Sequence, residues 1–221
     1  MMEMAQELRT THAIVLYWLK KHGIPRRSWS ERTYCKLNPD GDPFAIPSRL
    51  SARQRELLNA GILLYWAEGK KNGGTIQIAN LDARMLQLFV TFLREVCCVN
   101  ERRLFLYVRV HRQYSLRAAR RYWIRALGLR PANVLVYPHT DTRSDASKQW
   151  SRHGIATLNF NNTKLKMWLK QAIETYVERQ LSDGSSIIRD ETLNRGSGYE
   201  IPSRIAEFMT AEYPQQPYIV N

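Results

Sequence analysis

The chain has 221 residues, enough for one sizeable domain with an appendage or for two small domains, and a 44% hydrophobic content makes a packed core feasible. Lys+Arg number 33 against 20 Asp+Glu, so the net charge is +13, which favours a polyanionic partner: nucleic acid first, an anionic membrane surface second. A membrane partner would want a basic amphipathic anchor or a long apolar run; neither is present, and the longest apolar run, Ile62 to Ala67, is too short to span a bilayer.

The start of the chain, Met1-Met-Glu-Met-Ala-Gln-Glu, has no signal-peptide pattern. Cys35, Cys97 and Cys98 lack zinc-ligand spacing, so a reduced, cytosolic setting with core cysteines is expected. Residues 8–23 have Leu8, Val15, Leu16 and Leu19 at helical spacing and stop at Gly23 and Pro25. This segment and its basic exit resemble the recognition helix of a helix-turn-helix, with Thr10, Thr11 and His12 placed to reach base edges and Lys20, Lys21, Arg26 and Arg27 to meet phosphates. The first helix of such a motif is missing or very short. The plainer reading is an amphipathic helix with a solvated basic end. Residues 1–32 are thus read as an N-terminal helical segment, and the Pro-, Gly- and Asp-rich residues 33–49 as a linker.

Asn59-Ala-Gly-Ile-Leu-Leu-Tyr-Trp-Ala-Glu68-Gly69 organises the rest of the chain. It predicts a helix capped by Ser51, with small residues at Ala60 and Gly61 that would allow another helix to approach closely. Gly69 is a natural left-handed terminator. Glu68 opposes the negative end of the helix dipole. A residue that breaks its local rule hints at function, although a solvated glutamate would break it harmlessly. Lys70 and Lys71 then make a basic turn.

Thr75–Asn80 alternates as a strand, and 82–96 repeats as a helix. Residues 103–111 form the clearest strand, with Arg103, Phe105, Tyr107, Arg109 and His111 on one face. A helix over 115–127 ends at Gly128 and puts Arg117, Arg120, Arg121 and Arg125 outward. Strands over 133–139 and 154–161 flank a polar loop, and a long helix runs over 163–181. The order is helix, strand, helix, strand, helix, strand, strand, helix. Residues 182–221 read as a linker-like tail with one short helix at 203–211.

Gly61-Ile-Leu-Leu-Tyr-Trp-Ala-Glu68-Gly69 resembles the signature helix of LAGLIDADG homing endonucleases, which ends small–acidic–Gly; Leu64-Tyr65-Trp66 departs from the usual run. Asn80-Leu-Asp82, Phe92-Leu93-Arg94-Glu95-Val96 and Arg121-Tyr-Trp123 resemble the sections C-terminal to the signature. The likeness spans residues 50–181 and extends to bacterial proteins in which a helix-turn-helix precedes one such domain.

The resemblance implies an α+β saddle: a mostly antiparallel four-stranded sheet backed by helices, with the small helical segment in front. It implies a homodimer, because there is one signature helix, crossing through Ala60, Gly61, Leu64 and Ala67. Glu68 and its mate would hold Mg²⁺ (or Mn²⁺) for cleavage of double-stranded DNA. Lys148, in the polar loop, would stabilise charge, or would be a solvated loop lysine. The sheet's polar face, read by alternation, comprises Gln77, Arg109, His111, Tyr137, His139, Thr157 and Asn159; the resemblance makes it the DNA saddle, with Lys70 and Lys71 nearby. His111 and His139 are equally readable as partly buried strand histidines. Asp82 reads as a helix cap, Asp141 and Asp145 as loop acids, Tyr65 and Trp66 as core, and Cys97-Cys98 as helix-end packing.

The leading expectation is therefore a metal-dependent DNA endonuclease in the cytoplasm, associated with the nucleoid. The alternatives are a non-cleaving DNA-binding transcriptional regulator on the same fold and an RNA-binding protein.

Overall fold

The computed structural model describes residues 2–26, 28–139 and 151–181. The chain divides into two compact units, Met1–Pro43 and Phe44–Asn221.

The first unit holds three short helices: α1 (Met2–Glu7), α2 (His12–Lys21) and α3 (Trp29–Leu37). The sequence predicts one helix from residue 8, but the chain breaks first, with Arg9 at φ 48° and Thr11 as the N-cap of α2. Helix α3 occupies part of the expected linker. Its signal is a capping box: Ser28 Oγ accepts from Glu31 N at 3.2 Å, and the Glu31 carboxylate accepts from Ser28 N at 2.6 Å.

The second unit contains α4 (Ala52–Glu68), β1 (Thr75–Asn80), α5 (Ala83–Glu95), β2 (Leu104–Val110), α6 (Leu116–Leu127), β3 (Val134–Pro138), β4 (Ile155–Asn161) and α7 (Thr163–Leu181). This is the order that the alternation of periods predicts. The four strands form one open sheet in the order β1-β4-β2-β3. β4 runs antiparallel to both β1 and β2, while β2 and β3 are parallel. A parallel pair needs a crossover, and α6 supplies it. The fold is thus mixed α+β, a four-stranded sheet backed by helices and not closed into a barrel.

Strand parity sorts the sheet into two faces. Ile76, Ile78, Leu104, Leu106, Val108, Val110, Ala156, Leu158 and Phe160 are buried in one core with Leu86, Phe89, Phe92 and Leu93 of α5, Trp123 of α6 and Leu165 and Leu169 of α7. At about 25 cal/mol per Å² of apolar surface, that shared burial is the main drive for the helices to cover this face.

Polar clamps fix the loops. Asp82 caps α5 by accepting from Arg84 N at 2.8 Å. Arg94 pairs with Glu101 and donates to the carbonyls of Leu127 and Gly128, both at 3.0 Å, tying α5 to the end of α6. Gly128 ends α6 at φ 59°, the left-handed cap expected of it. The buried Asn133 side chain donates to the carbonyls of Glu101 and Leu104 at 2.9 Å each.

Cys97 alone of the three cysteines is core; Cys35 and Cys98 are exposed, which corrects the expectation of core cysteines. Among the described residues no helix is long and apolar enough to cross a membrane.

Candidate functional site

Helix α4 starts with the predicted cap. Ser51 and Gln54 form a reciprocal capping box at 3.2 and 3.0 Å. Its inward face is Gly61, Ile62 and Tyr65. The Phe92 ring of α5 lies against Gly61, where any Cβ would overlap the ring carbons. The small residue therefore serves the α4–α5 contact inside the chain, which corrects its assignment to a dimer crossing. Leu64 is half-buried and packs on the core. The outward apolar row is Ala60, Leu63 and Ala67, with Leu63 38% and Trp66 41% exposed. Trp66 is thus on the surface and not in the core, while Tyr65, 1% exposed, is in it.

Glu68 ends α4 and is exposed. Among the described residues it makes no hydrogen bond or ion pair of its own, so its carboxylate oxygens are available. The unfavourable dipole is answered by Lys71. Its ammonium donates to Tyr65 O at 2.8 Å and to Trp66 O, and lies 5.5 Å from the centre of the Tyr65 ring. Burial lowers the Lys71 pKa, and the Glu68 charge pulls it back up. Lys71 is thus engaged as a helix cap. Lys70 is exposed.

Gly69 corrects a second expectation. It leaves the helix at φ −75° and ψ 145°, extended and not left-handed, and bridges to Ile78 of β1. It is needed for space: a Cβ there would strike the Tyr65 ring and carbonyl. The helix thereby passes directly to the sheet edge, where Lys70 N donates to Gln77 O at 2.8 Å.

A residue that sequence reasoning missed holds this exit. Lys166 of α7 is 2% exposed, and its ammonium donates to the carbonyls of Lys70, Asn72 and Thr75 at 2.9, 2.8 and 3.1 Å. Burial, helped by Lys170, Lys70 and Lys71, pushes its pKa down to about 8. The signal was there: Lys166 falls in the inward stripe Leu165, Leu169 and Ile173 of its helix.

The open face of the sheet carries the other parity. Register sets its residues in cross-strand rows: Gln77–Asn159–Phe105, then Ala79–Thr157–Tyr107–Leu135, then Ile155–Arg109–Tyr137. Gln77, Arg109, Tyr137, Thr157 and Asn159 therefore share one face, with Tyr137 and Arg109 exposed, Gln77 and Thr157 half-buried and Asn159 buried. Tyr107 and Phe105 join them and were not singled out. His111 does not. It lies beyond the end of β2 and is only 7% exposed, so it is no surface contact. His139 is half-buried and extends the ladder, its N–H donating to Val110 O at 2.7 Å. Lys148, Asp141, Asp145 and the tail from residue 182 lie outside the described residues.

In the N-terminal unit, Thr11 Oγ1 accepts from Ile14 N at 3.5 Å and His12 is exposed. The Lys21 ammonium sits 4.6 Å from the Trp18 ring centre. Among the described residues no three His, Cys, Asp or Glu side chains gather as a metal site. No family model matches the chain, and no curated protein or solved structure matches it.

Proposed function

We propose that residues 50–181 are a LAGLIDADG-type domain that binds double-stranded DNA on the open face of its sheet and pairs with a second copy through α4. The carrying observation is that one helix joins an outward apolar row, half-buried Ala60 with exposed Leu63 and Ala67, to an exposed carboxylate at its end, Glu68. A two-fold contact along that row would bring Glu68 towards its mate.

One carboxylate per chain suits Mg²⁺ or Mn²⁺, which takes few protein oxygens and fills its shell with phosphate and water. Glu68 has the hard oxygen donors for this, and when bound the metal would supply Lewis-acid activation of the phosphodiester and of water. The chain's own contributions are to fix the end of α4 through Lys71 and the turn after it through Lys166, and to offer Gln77 and Arg109 to base edges or phosphates. By this reading the protein is nucleoid-associated.

The second reading is a DNA-binding regulator that does not cleave. It is favoured by Lys71, whose ammonium caps the end of α4 and whose charge interacts with that of Glu68.

Supercoiled plasmid libraries incubated with the protein and Mg²⁺ or Mn²⁺ separate the two. The nuclease reading expects cleavage at discrete sites, lost in Glu68→Gln with binding retained. Tight binding with no cleavage in either metal leaves the regulator. Cleavage that survives Glu68→Gln would overturn the ligand assignment.

A further inference from the structure

Between Arg102 and Thr140 the chain carries nine arginines and no Asp or Glu. Four of the arginines are on α6. Arg120 is used internally, its Nε donating to Val134 O at 3.1 Å. Arg117, Arg121 and Arg125 are exposed and recur every fourth residue, making one row with steps of about 6 Å. Among the described residues none of the three forms an ion pair.

Beside this row is an open cavity of about 430 Å³ lined by Ala118, Arg121, Tyr122, Arg125 and Ala126. Its aromatic wall is braced from behind. The Tyr122 ring stacks on His153 with centres 3.8 Å apart and planes 6° from parallel. His153 is itself anchored, its carbonyl accepting from Trp123 Nε1 at 2.7 Å. Burial, with Arg152, lowers the His153 pKa. Ala119, Trp123 and Leu127 bury the opposite side of α6 in the core over β2 and β3. The groove therefore looks away from the open face of the sheet.

We infer that the α6 groove binds single-stranded nucleic acid, at a site separate from the sheet. Arg121 and Arg125 take neighbouring phosphates, Arg117 continues the track, and a base lies in the cavity against Tyr122. Charge alone would serve any polyanion. The apolar floor and braced ring decide between them: a duplex keeps its bases stacked and inaccessible, whereas a single strand offers one to an aromatic wall. The inference does not rest on Glu68 or on a dimer.

The test is fluorescence anisotropy of a labelled oligothymidine with the full chain, alongside a labelled duplex of equal length. Arg121→Gln/Arg125→Gln should weaken oligothymidine binding about tenfold or more and flatten its salt dependence by about 1.4, roughly 0.7 per phosphate contact. Arg121→Lys/Arg125→Lys should keep the salt dependence. Tyr122→Ala should weaken the single strand about fivefold or more while Tyr122→Phe does not, because the ring and not the hydroxyl is used. Duplex binding should be unchanged throughout. All three side chains are exposed, and circular dichroism checks that each variant folds. No oligothymidine binding by the parent, or equal binding by the glutamine double variant, overturns the proposal. So does a parallel loss for duplex and single strand. Loss of duplex binding in Arg109→Gln with oligothymidine binding intact would separate the sheet from this groove.

Discussion

The Phe92 ring lies directly over Gly61, so close that a methyl group at residue 61 has no room. Two effects then compete in Gly61→Ala. The helix gains about 1 kcal/mol from the better helix former. Overpacking against a fully buried ring costs about 1–3 kcal/mol. The packing term wins, and the expected outcome in chemical denaturation is a net loss of roughly 1 kcal/mol. Phe92→Leu in the same chain should recover part of it, since the clash is with the ring. The oligomeric mass should not change.

The mass should instead respond on the outward row. Leu63→Lys places a charge in the proposed two-fold contact but touches nothing in the core, where Ile62 and Tyr65 point. Light scattering at micromolar concentration should give a dimer for the parent and a monomer for Leu63→Lys, with little change in melting temperature. A monomeric parent, with and without DNA, would remove the dimer from the proposal.

Lys166 makes a prediction in pH. Its folded pKa of about 8 lies below the 10.5 of the free side chain. Between those values the unfolded chain holds more protons than the folded one, so stability attributable to Lys166 rises with pH from about 8 to 10.5. Below pH 8 the cost of the buried charge is fully present. Lys166→Met removes the titration and leaves three carbonyls without their donor, so it should be less stable at every pH. The measurement is the difference in unfolding free energy between parent and variant, which should widen as pH rises through this window. A constant difference would mean that the three carbonyls hold the ammonium at its ordinary pKa.

Asn133→Asp tests the clamp between the α6–β3 connection and β2. The amide nitrogen faces the carbonyls of Glu101, Arg102 and Leu104, and a carboxylate of the same shape would face them oxygen to oxygen. The expected loss at neutral pH is about 2–3 kcal/mol. Because the site favours the neutral form, the aspartate's folded pKa is raised. The penalty should therefore be full above that pKa and shrink as pH falls toward 4, the ordinary carboxylate value. Asn133→Ala, which introduces no repulsion, should cost less and show no such dependence.

Much of the second unit is legible because its elements carry unmixed periods. Alternation in Leu104–Val110 marks a strand with one buried face, and the heptad-like spacing of Leu86, Phe89 and Leu93 marks the inward stripe of α5. Ser51, Asp82, Ser115 and Gly128 sit where caps are needed, so the boundaries follow as well. The first unit reads less well. Its helices are short, and its signals are local hydrogen-bonding pairs such as Ser28 with Glu31, easily passed over beside a loop-like composition.

At the candidate site, identity was legible and orientation was not. The sequence marks Glu68 as a carboxylate at the wrong end of a helix, and marks Gly61 and Gly69 as glycines with a purpose. What purpose depends on residues far along the chain. Phe92 occupies the space at Gly61, the ring of Tyr65 occupies that at Gly69, and Lys166 reaches across from the last helix to hold the turn.

Local periodicity and capping, which act within a few residues, thus determined the elements, their order and which strand residues share a face. Strand order, the parallel β2–β3 pairing and the inward turn of His111 were decided by the tertiary structure alone. So was the difference between a small residue that awaits a partner and one already filled from within. Each is a matter of which surfaces meet, and nothing in a residue's immediate neighbours fixes that.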